Sequence, residues 1–252
     1  MKAAARSPRS VVRQSQKAQL AEIRGNLHSL ADERRAHVSR LFFKTGPGQY
    51  GEGDVFIGAT VPQVRSVARA HRGTPLATVL HLLESRIHED RLLALLMLVD
   101  TFQRGDTRTR REVHEAYLAR TACINNWDLV DTSAAAIVGG YLDGRGMRLL
   151  TRLAKSSSLW ERRIAIIATF HDIRQGRPEP TFRIADILMD DGHDLIHKAV
   201  GWMLREAGKR DVAALRAFLS TRHNRMPRAM LRYAIERFPE HERKKYLRRA
   251  TL

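Results

Sequence analysis

A single short segment combines residue types that could do chemistry. The segment Asn125-Asn-Trp-Asp-Leu-Val-Asp131 opens an otherwise apolar helical stretch with one indole and two carboxylates. Trp127 and Asp131 are four residues apart, so a helix places them on one face, one turn above the other. A hydrophobic core alone would not require this combination. The chain around it carries 44 Lys and Arg against 27 Asp and Glu, and an acidic spot in that setting indicates recognition of, or chemistry on, a polyanion.

The net charge concerns partners more than fold. A formal charge of +17 over 252 residues attracts both phosphate backbones and anionic membranes. Nucleic acid is the better fit, because the longest apolar run, Leu92 to Val99, is too short to span a bilayer and no basic amphipathic helix with exposed aromatics stands apart. Cys123 is the only cysteine, which excludes an intrachain disulfide and a multi-cysteine zinc site and fits a reducing compartment.

The N-terminal residues differ from the rest of the chain. Residues 1–17 are rich in Arg, Lys, Ala and Ser and contain no acid. This composition fits either a mitochondrial transit peptide or a disordered basic tail, and the absence of a clear apolar face favours the tail. Residues 18–252 are then predicted to form one domain.

The pattern from residue 18 onward is helical nearly throughout, which predicts an all-α fold of short helices and short loops. Helix starts are predicted where proline suits a first turn, at Thr60-Val61-Pro62, Gly73-Thr74-Pro75 and Arg177-Pro178. Helix ends are predicted at Gly105, Gly139-Gly140, Gly144 and Gly208.

Four apolar runs each begin with a basic residue, at Arg91, Arg163, Lys198 and Arg228. The first interval leaves room for one more unit containing Trp127, and the later intervals of 35 and 30 residues are typical of HEAT-like two-helix repeats. The sequence therefore predicts a curved α-solenoid with a basic concave face, a shape suited to duplex DNA. For any single leading residue, a solvated helix end is the simpler interpretation. A cation near a helix N-terminus opposes the macrodipole, however, and a bound anion would offset that cost.

Two further motifs resemble known ligand-binding motifs. The Gly-rich segment 44–58 has no following Gly-Lys-Ser/Thr and no preceding strand, so it is not a P-loop; contact with a DNA backbone and a plain connector are equally good interpretations. His193-Asp-Leu-Ile-His197 nearly matches a zinc-protease motif, but the base would be Asp194 in place of glutamate and no third ligand is evident. No metal and no cofactor are predicted.

Several fragments together resemble the AlkD-type family of alkylpurine DNA glycosylases. In chain order they are Asp54-Val-Phe-Ile-Gly58, Asn126-Trp-Asp-Leu-Val-Asp131, Trp160-Glu-Arg-Arg163 and Ala199-Val-Gly-Trp202-Met-Leu-Arg205-Glu206. The resemblance extends from about Tyr50 to Phe238, and the fragments are more specific in this order than any one is alone. It implies a HEAT-like repeat enzyme of base excision repair.

The resemblance also implies residue roles. Asp131 matches the family's catalytic carboxylate, Trp127 and Trp202 match aromatics that hold the deoxyribose of the lesion, and Arg163 matches an arginine that grips the nearby backbone. A purine alkylated at N3 or N7 is cationic and leaves without a general acid, so one carboxylate can stabilise the positive sugar and direct water. Indole faces add a cation–π attraction. The family implies a base that stays stacked, whereas most glycosylases flip it.

Other interpretations of these residues stay open. Core packing is the usual role of a helical tryptophan, whereas the nearby Asp131 and the family resemblance favour a functional role for Trp127 and Trp202. Asp131 could simply form a salt bridge with Arg163. An aromatic that the family can carry near Gln49 is shifted here to Tyr50, so both are candidate DNA contacts. The best candidate for phosphate contacts is the segment Arg222-His-Asn-Arg225-Met-Pro-Arg228, with Lys198 and Arg91 behind it.

The predicted function is hydrolysis of the N-glycosidic bond of cationic N3- and N7-alkylpurines. The predicted partner is double-stranded DNA containing alkylated purines, bound by a monomer in the bacterial cytoplasm or nucleoid without a membrane or an obligatory protein partner. One alternative is a non-catalytic HEAT-repeat module that binds damaged or branched DNA. Another is a scaffold for a protein partner, which would need an apolar or mixed-charge concave face.

Overall fold

The computed structural model describes residues 8–248, with side chains from residue 14 onward. This part of the chain is helical, and its only β-type pairing is one parallel bridge between Val55 and Ile87. A 3₁₀ turn covers Thr121–Cys123 and a π-helical turn covers Ala135–Gly139. The all-α prediction is confirmed. The α-helices are α1 (Pro8–His28), α2 (Glu33–Phe42), α3 (Val61–Ala70), α4 (Leu76–Leu83), α5 (His88–Arg104), α6 (Thr107–Leu118), α7 (Trp127–Ala134), α8 (Gly140–Leu142), α9 (Met147–Ala154), α10 (Leu159–Ala168), α11 (Phe170–Arg174), α12 (Glu179–Ile187), α13 (Asp194–Arg210), α14 (Val212–Arg222), α15 (Arg228–Ala234) and α16 (Glu240–Leu247).

The helix starts follow the predicted signals. α3 begins directly after Thr60, whose backbone N–H donates to the Gln63 side chain at 2.8 Å, as in a capping box. Pro75 and Pro178 occupy the N-cap positions of α4 and α12. Local capping chemistry was therefore sufficient to locate these three helices.

The predicted helix ends are only half right. Gly105 ends α5, and Gly144 follows the end of α8 with a φ of 80°. The ends predicted at Gly139-Gly140 and Gly208 are wrong. A Cβ on Gly139 would lie 2.3 Å from the Ala168 carbonyl oxygen, and one on Gly208 would lie 2.3 Å from the Leu215 side chain. These glycines permit close helix packing and do not terminate a helix.

The described part of the chain divides into two compact units, the first ending at residue 129 and the second beginning at residue 130. In the first unit α5 is central and packs against α3, α4 and α6, while α1 packs against α3 and α4. Every residue of α5 from His88 to Leu98 is buried, because a helix surrounded by others has no solvated face. The charged residues that open α5 are therefore buried together with its apolar ones.

In the second unit α13 has the central position and packs against α10, α11, α12, α14 and α15. Gly201 permits the approach of α15, since a Cβ at this position would lie 2.5 Å from the carbonyl oxygen of Met230. Neighbouring helices thus pack on one another within each unit, as expected of helical repeats.

Replacing Gly201 by alanine is expected to lower the free energy of unfolding by about 1–3 kcal/mol, because the added methyl group overpacks the contact with α15. At an uncrowded helical position the same change would stabilise the protein by up to about 1 kcal/mol, so the sign of the change reports the packing. Urea denaturation measures it. Gly25→Ala is the control, because Gly25 lies within α1 and a Cβ there meets nothing within 4 Å. A Gly201→Ala variant as stable as the parent would contradict the prediction.

The structure bears on two predictions made from the sequence. The predicted tail, residues 1–17, overlaps α1, which begins at Pro8; residues 1–7 lie outside the described residues. The leading basic residues of the apolar runs also differ from one another. Arg91 and Arg163 are buried, so they are not part of an exposed basic stripe, whereas Lys198 is half-buried and Arg228 is exposed.

Candidate functional site

The start of α7 is fixed by a buried asparagine. Asn126 is fully buried, and its side-chain oxygen accepts a hydrogen bond from the backbone N–H of Trp127 at 2.8 Å. Its amide nitrogen donates to Asp54 at 3.2 Å. Asn126 thus satisfies one of the N–H groups that a helix start leaves unpaired, and it ties that start to the segment before α3.

Trp127 rests on an aromatic cluster of the first unit. Its indole stacks on the ring of Phe43, with centroids 5.3 Å apart, and meets the edge of Phe42 at 5.8 Å. Phe43 in turn stacks on Phe56 at 5.0 Å. Trp127 is half-buried, so it is supported by the core without being fully enclosed in it.

A buried group of charged side chains lies beside this cluster. His88 donates from Nδ1 to Asp54 at 3.1 Å and from Nε2 to Asp128 at 2.8 Å. Arg91 donates to the other oxygen of Asp54 at 2.6 Å. Burial alone would raise the pKa of Asp54, but the hydrogen bond from His88 and the charge of Arg91 outweigh it and lower that pKa. Arg91 is therefore committed to Asp54 and is not available to a DNA phosphate.

Burial has the opposite effect on the pKa of the histidine. It would lower the pKa of His88, but the hydrogen bonds to Asp128 and Asp54 prevail and raise it to about 8. His88 is 2% exposed. It is therefore a buried cation at neutral pH.

The Gly-rich segment is built around its own backbone. Gln49 is exposed and accepts a hydrogen bond from the Gly46 N–H at 3.0 Å, and the Tyr50 hydroxyl donates to the Phe42 carbonyl at 3.3 Å. At the end of the segment, Gly58 has a φ of 81°, and its N–H donates to Glu89 at 2.8 Å. The roles of Gln49 and Tyr50 on DNA stay predictions.

In the second unit Asp131 forms a bidentate ion pair with Arg163. Arg163 Nε lies 2.9 Å from one carboxylate oxygen and Nη2 lies 2.8 Å from the other. Nη1 of Arg163 donates to the carbonyl oxygen of Leu195 at 2.6 Å, which joins α10 to the start of α13. The Asp131 side chain is 17% exposed and that of Arg163 is 6% exposed. The pair fixes the orientation of the carboxylate and leaves part of it at the surface.

The neighbouring Arg162 has a different environment. It pairs with Asp191 at 2.6 Å and donates to the carbonyl oxygens of Ser156 and Ser157. Of the two adjacent arginines, Arg163 is thus the one that contacts Asp131.

Trp202 lies on α13 and is half-buried. Its ring is 5.9 Å from that of Phe170, and the guanidinium of Arg174 lies 4.2 Å from the Phe170 ring centroid. Gly201 directly precedes it at the close contact with α15. Trp202 is therefore held on a well-packed helix with part of its indole accessible.

The candidate phosphate ligands of the second unit all lie near acidic or carbonyl oxygens. Lys198 pairs with Asp194 at 2.6 Å, and Arg225 pairs with Asp190 at 2.7 Å. Arg228 is exposed and donates to the Leu247 carbonyl at 2.7 Å. Exposed ion pairs of this kind are weak, so a phosphate could replace the acidic partner at small cost.

The paired histidines have local roles. His193 caps α13 by accepting from the Leu195 N–H at 3.1 Å, and His197 bonds to the carbonyl oxygen of Asp191. Over residues 8–248, no three metal-ligating side chains cluster in a way that could hold an ion. None of the helices described in this range is long and apolar enough to cross a membrane.

The evidence for the family of this protein covers most of the chain. A family model described as DNA alkylation repair enzyme matches residues 23–238. Since the match spans most of the sequence, this protein belongs to the DNA alkylation repair enzyme family. The resemblance inferred from the tryptophan and arginine motifs is confirmed at this level.

Two solved structures share the fold. A predicted DNA alkylation repair enzyme from Enterococcus faecalis gives a TM-score of 0.65 at 14% identity, over 83% of this chain and 97% of its own. AlkD2 from Streptococcus mutans gives a TM-score of 0.53 at 15% identity, over 89% of this chain and 99% of its own. A comparison with curated proteins gives no match. At these identities the likeness establishes a common fold.

The charged group of the first unit was not identified from sequence. The available signal was the run His88-Glu-Asp-Arg91, four polar residues directly before a long apolar stretch. Such a run resembles a solvated helix start, and Glu89 and Asp90 are well suited to a first turn. Only the packing of α5 shows that all four are buried.

Proposed function

We propose that the protein is a DNA glycosylase that hydrolyses the N-glycosidic bond of cationic N3- and N7-alkylpurines in duplex DNA. The observation that carries this proposal is Asp131, on the same helix as Trp127: Arg163 holds its carboxylate through two hydrogen bonds, and its side chain is 17% exposed. Membership of the DNA alkylation repair enzyme family supports the substrate class.

The proposed reaction needs one carboxylate. The bond between C1′ and the purine nitrogen breaks, and its electron pair neutralises the cationic base, so no proton donor is required. Asp131 stabilises the positive charge that develops on the sugar and orients a water molecule toward C1′. The water oxygen forms the new bond to C1′, and its proton passes to the Asp131 carboxylate and then to solvent. The product is an abasic site.

The tryptophans are assigned to recognition of the cation. An indole face attracts a positive nucleotide or sugar by about 0.5–2 kcal/mol, depending on how far the site is desolvated. Trp127 is suited to this role because Phe43 supports its ring while the side chain stays partly accessible. By the family resemblance Trp202 is assigned to the deoxyribose of the lesion, with the base left stacked in the duplex.

The competing function is a non-catalytic module that binds damaged or branched DNA. The ion pair itself favours this alternative, because Arg163 occupies both oxygens of Asp131 and would serve equally well as a structural lock. Release of free 3-methyladenine and 7-methylguanine from methylated duplex DNA separates the two functions. DNA binding that weakens with salt but is accompanied by no base release would support the binding module.

Replacing Trp127 by alanine is expected to lower the single-turnover rate of 7-methylguanine release by about 10-fold, the equivalent of a lost cation–π contact. Trp127→Phe keeps an aromatic face on Phe43 and should lose less. The rates are measured at saturating protein, with DNA affinity followed separately. Equal rates for the alanine variant and the parent would remove Trp127 from the site.

A further inference from the structure

His88 is a buried histidine that links three segments of the first unit and has no role in the proposed function. It opens α5, and its two ring nitrogens contact Asp54, in the segment before α3, and Asp128, in the first turn of α7. Its ring also stacks on Phe56 at 4.4 Å and lies 5.0 Å from Phe43. These contacts indicate a role for His88 beyond packing.

The geometry determines the protonation of this ring. An ionised carboxylate only accepts hydrogen bonds, and both ring nitrogens face carboxylate oxygens, at 3.1 and 2.8 Å. Both contacts can be hydrogen bonds only if both nitrogens carry a proton, which makes the ring an imidazolium. At 2% exposure, water cannot readily take the place of either contact.

The charges around the ring balance only in that state. The charged groups facing it are Asp54 and Asp128, both negative, and Arg91, which is positive and pairs with Asp54 at 2.6 Å. The aromatic rings of Phe43 and Phe56 bring no charge. A neutral His88 would therefore leave one net negative charge in a buried group, at a large desolvation cost.

The unbalanced negative charge would lie on Asp128. Its Oδ2 accepts from His88, and its Oδ1 is buried with no hydrogen-bond partner among the described residues. Since Asp128 adjoins Trp127, and Trp127 stacks on Phe43 at 5.3 Å, two routes lead from the imidazolium to the indole. One is the backbone of the first turn of α7 and the other is the ring of Phe43.

We propose that His88 is a positioning residue of the glycosylase site: as an imidazolium clamped between Asp54 and Asp128, it holds the first turn of α7 and the indole of Trp127 in place for the substrate. This inference rests on the proposed function. It assigns the second carboxylate of the motif, Asp128, to anchoring, and leaves the reaction itself to Asp131.

The expected pH dependence follows from the sign of the shift. His88 has its pKa raised from 6.5 to about 8, so the clamp is fully formed below pH 6.5 and is lost as the pH rises through about 8. Loss of the clamp loosens Trp127, so the single-turnover rate of base release should fall through the same range. Asp54, whose pKa is lowered by the His88 hydrogen bond and the charge of Arg91, stays ionised over this range and cannot cause the fall.

The first test follows the wild-type protein by NMR with labelled histidine and tryptophan side chains, from pH 6 to 9.5. At pH 7 the His88 ring should show two N–H protons, and its titration should share a midpoint near 8 with a shift of the Trp127 indole signal. A ring with one N–H at pH 7, or a Trp127 signal that stays still while His88 titrates, would overturn the proposal. This test requires no variant and no activity.

The second test compares pH profiles of base release for His88→Gln, His81→Gln and the parent, at saturating protein and with uncatalysed loss subtracted. His88→Gln should release base several-fold more slowly at pH 7 and lose the fall above pH 8. His81 is exposed, so His81→Gln should keep the parent profile. An unchanged alkaline fall in His88→Gln would sink the positioning role. If the parent releases no base at any pH, the proposed function fails, while the NMR titration still decides whether His88 positions Trp127.

Discussion

An Asp131→Asn protein is expected to release 7-methylguanine about 100- to 1,000-fold more slowly than the parent in single turnover, the usual effect of removing one preorganised electrostatic group from an active site. The amide has the size of the carboxylate but no negative charge, so it can neither stabilise the positive sugar nor accept the proton from water. The measurement is the rate of free-base release at protein concentrations that saturate the DNA.

The control must separate chemistry from binding and folding. Asp190→Asn makes the same chemical change at an exposed acid that pairs with Arg225 at 2.7 Å, and its rate should match the parent. DNA affinity is compared at several salt concentrations, because phosphate contacts dominate it. If Asp131→Asn binds DNA, stays folded and releases base at the parental rate, Asp131 is not the catalytic group.

The second large effect concerns stability. Replacing Arg163 by methionine should lower the free energy of unfolding by about 3 kcal/mol, because it leaves the mostly buried Asp131 carboxylate without its cation. It also removes the bond to the Leu195 carbonyl. Urea denaturation near pH 7 gives the value. Base release should fall as well, since the carboxylate loses its fixed orientation.

The combined variant Asp131→Asn with Arg163→Met identifies the source of that loss. With both charges removed, much of the stability should return, since the penalty comes from an unpaired buried charge more than from the lost attraction. Arg225→Met is the surface control. Its ion pair with Asp190 is largely exposed, so a change of less than about 1 kcal/mol is expected. Additive losses at Asp131 and Arg163 would mean that the two side chains are not coupled.

Under the proposed function, the ion pair with Arg163 lets one carboxylate, that of Asp131, serve both structure and chemistry. Arg163 donates to each carboxylate oxygen of Asp131, and the Asp131 side chain is 17% exposed. A group held in this way pays little reorganisation cost when charge develops beside it. The same contacts make the site sensitive to Arg163, which under the proposed function acts on Asp131 and not directly on the DNA backbone.

The helices of this protein could be predicted largely from local sequence. Thr60, Pro75 and Pro178 mark helix starts by their own backbone and capping chemistry, and a spacing of four residues places Trp127 and Asp131 one turn apart on α7. These features depend on neighbours within a few positions, which is the range that residue patterns encode. The family also could be inferred, because its fragments lie in a fixed order along the chain.

The roles of several glycines and charged residues could be assigned only from the tertiary structure. Gly139 and Gly208 look like helix ends because glycine lowers helix propensity, yet both lie where another helix comes too close for a side chain. Arg91 and Arg163 look like solvated helix starts, yet each is buried against an aspartate distant in sequence. A residue's own type does not reveal whether a distant partner will neutralise it.

The residue types and spacing alone determined an all-helical, basic protein with a tryptophan and a carboxylate one turn apart. Only the tertiary structure decided that Arg163 and not Arg162 holds that carboxylate, that Phe43 supports the indole, and that His88 links Asp54 to Asp128. The physical reason is that burial changes the free-energy cost of a charged side chain. In water a charged side chain is tolerated almost anywhere, whereas inside the protein it must meet its partner, and that meeting depends on how distant segments pack.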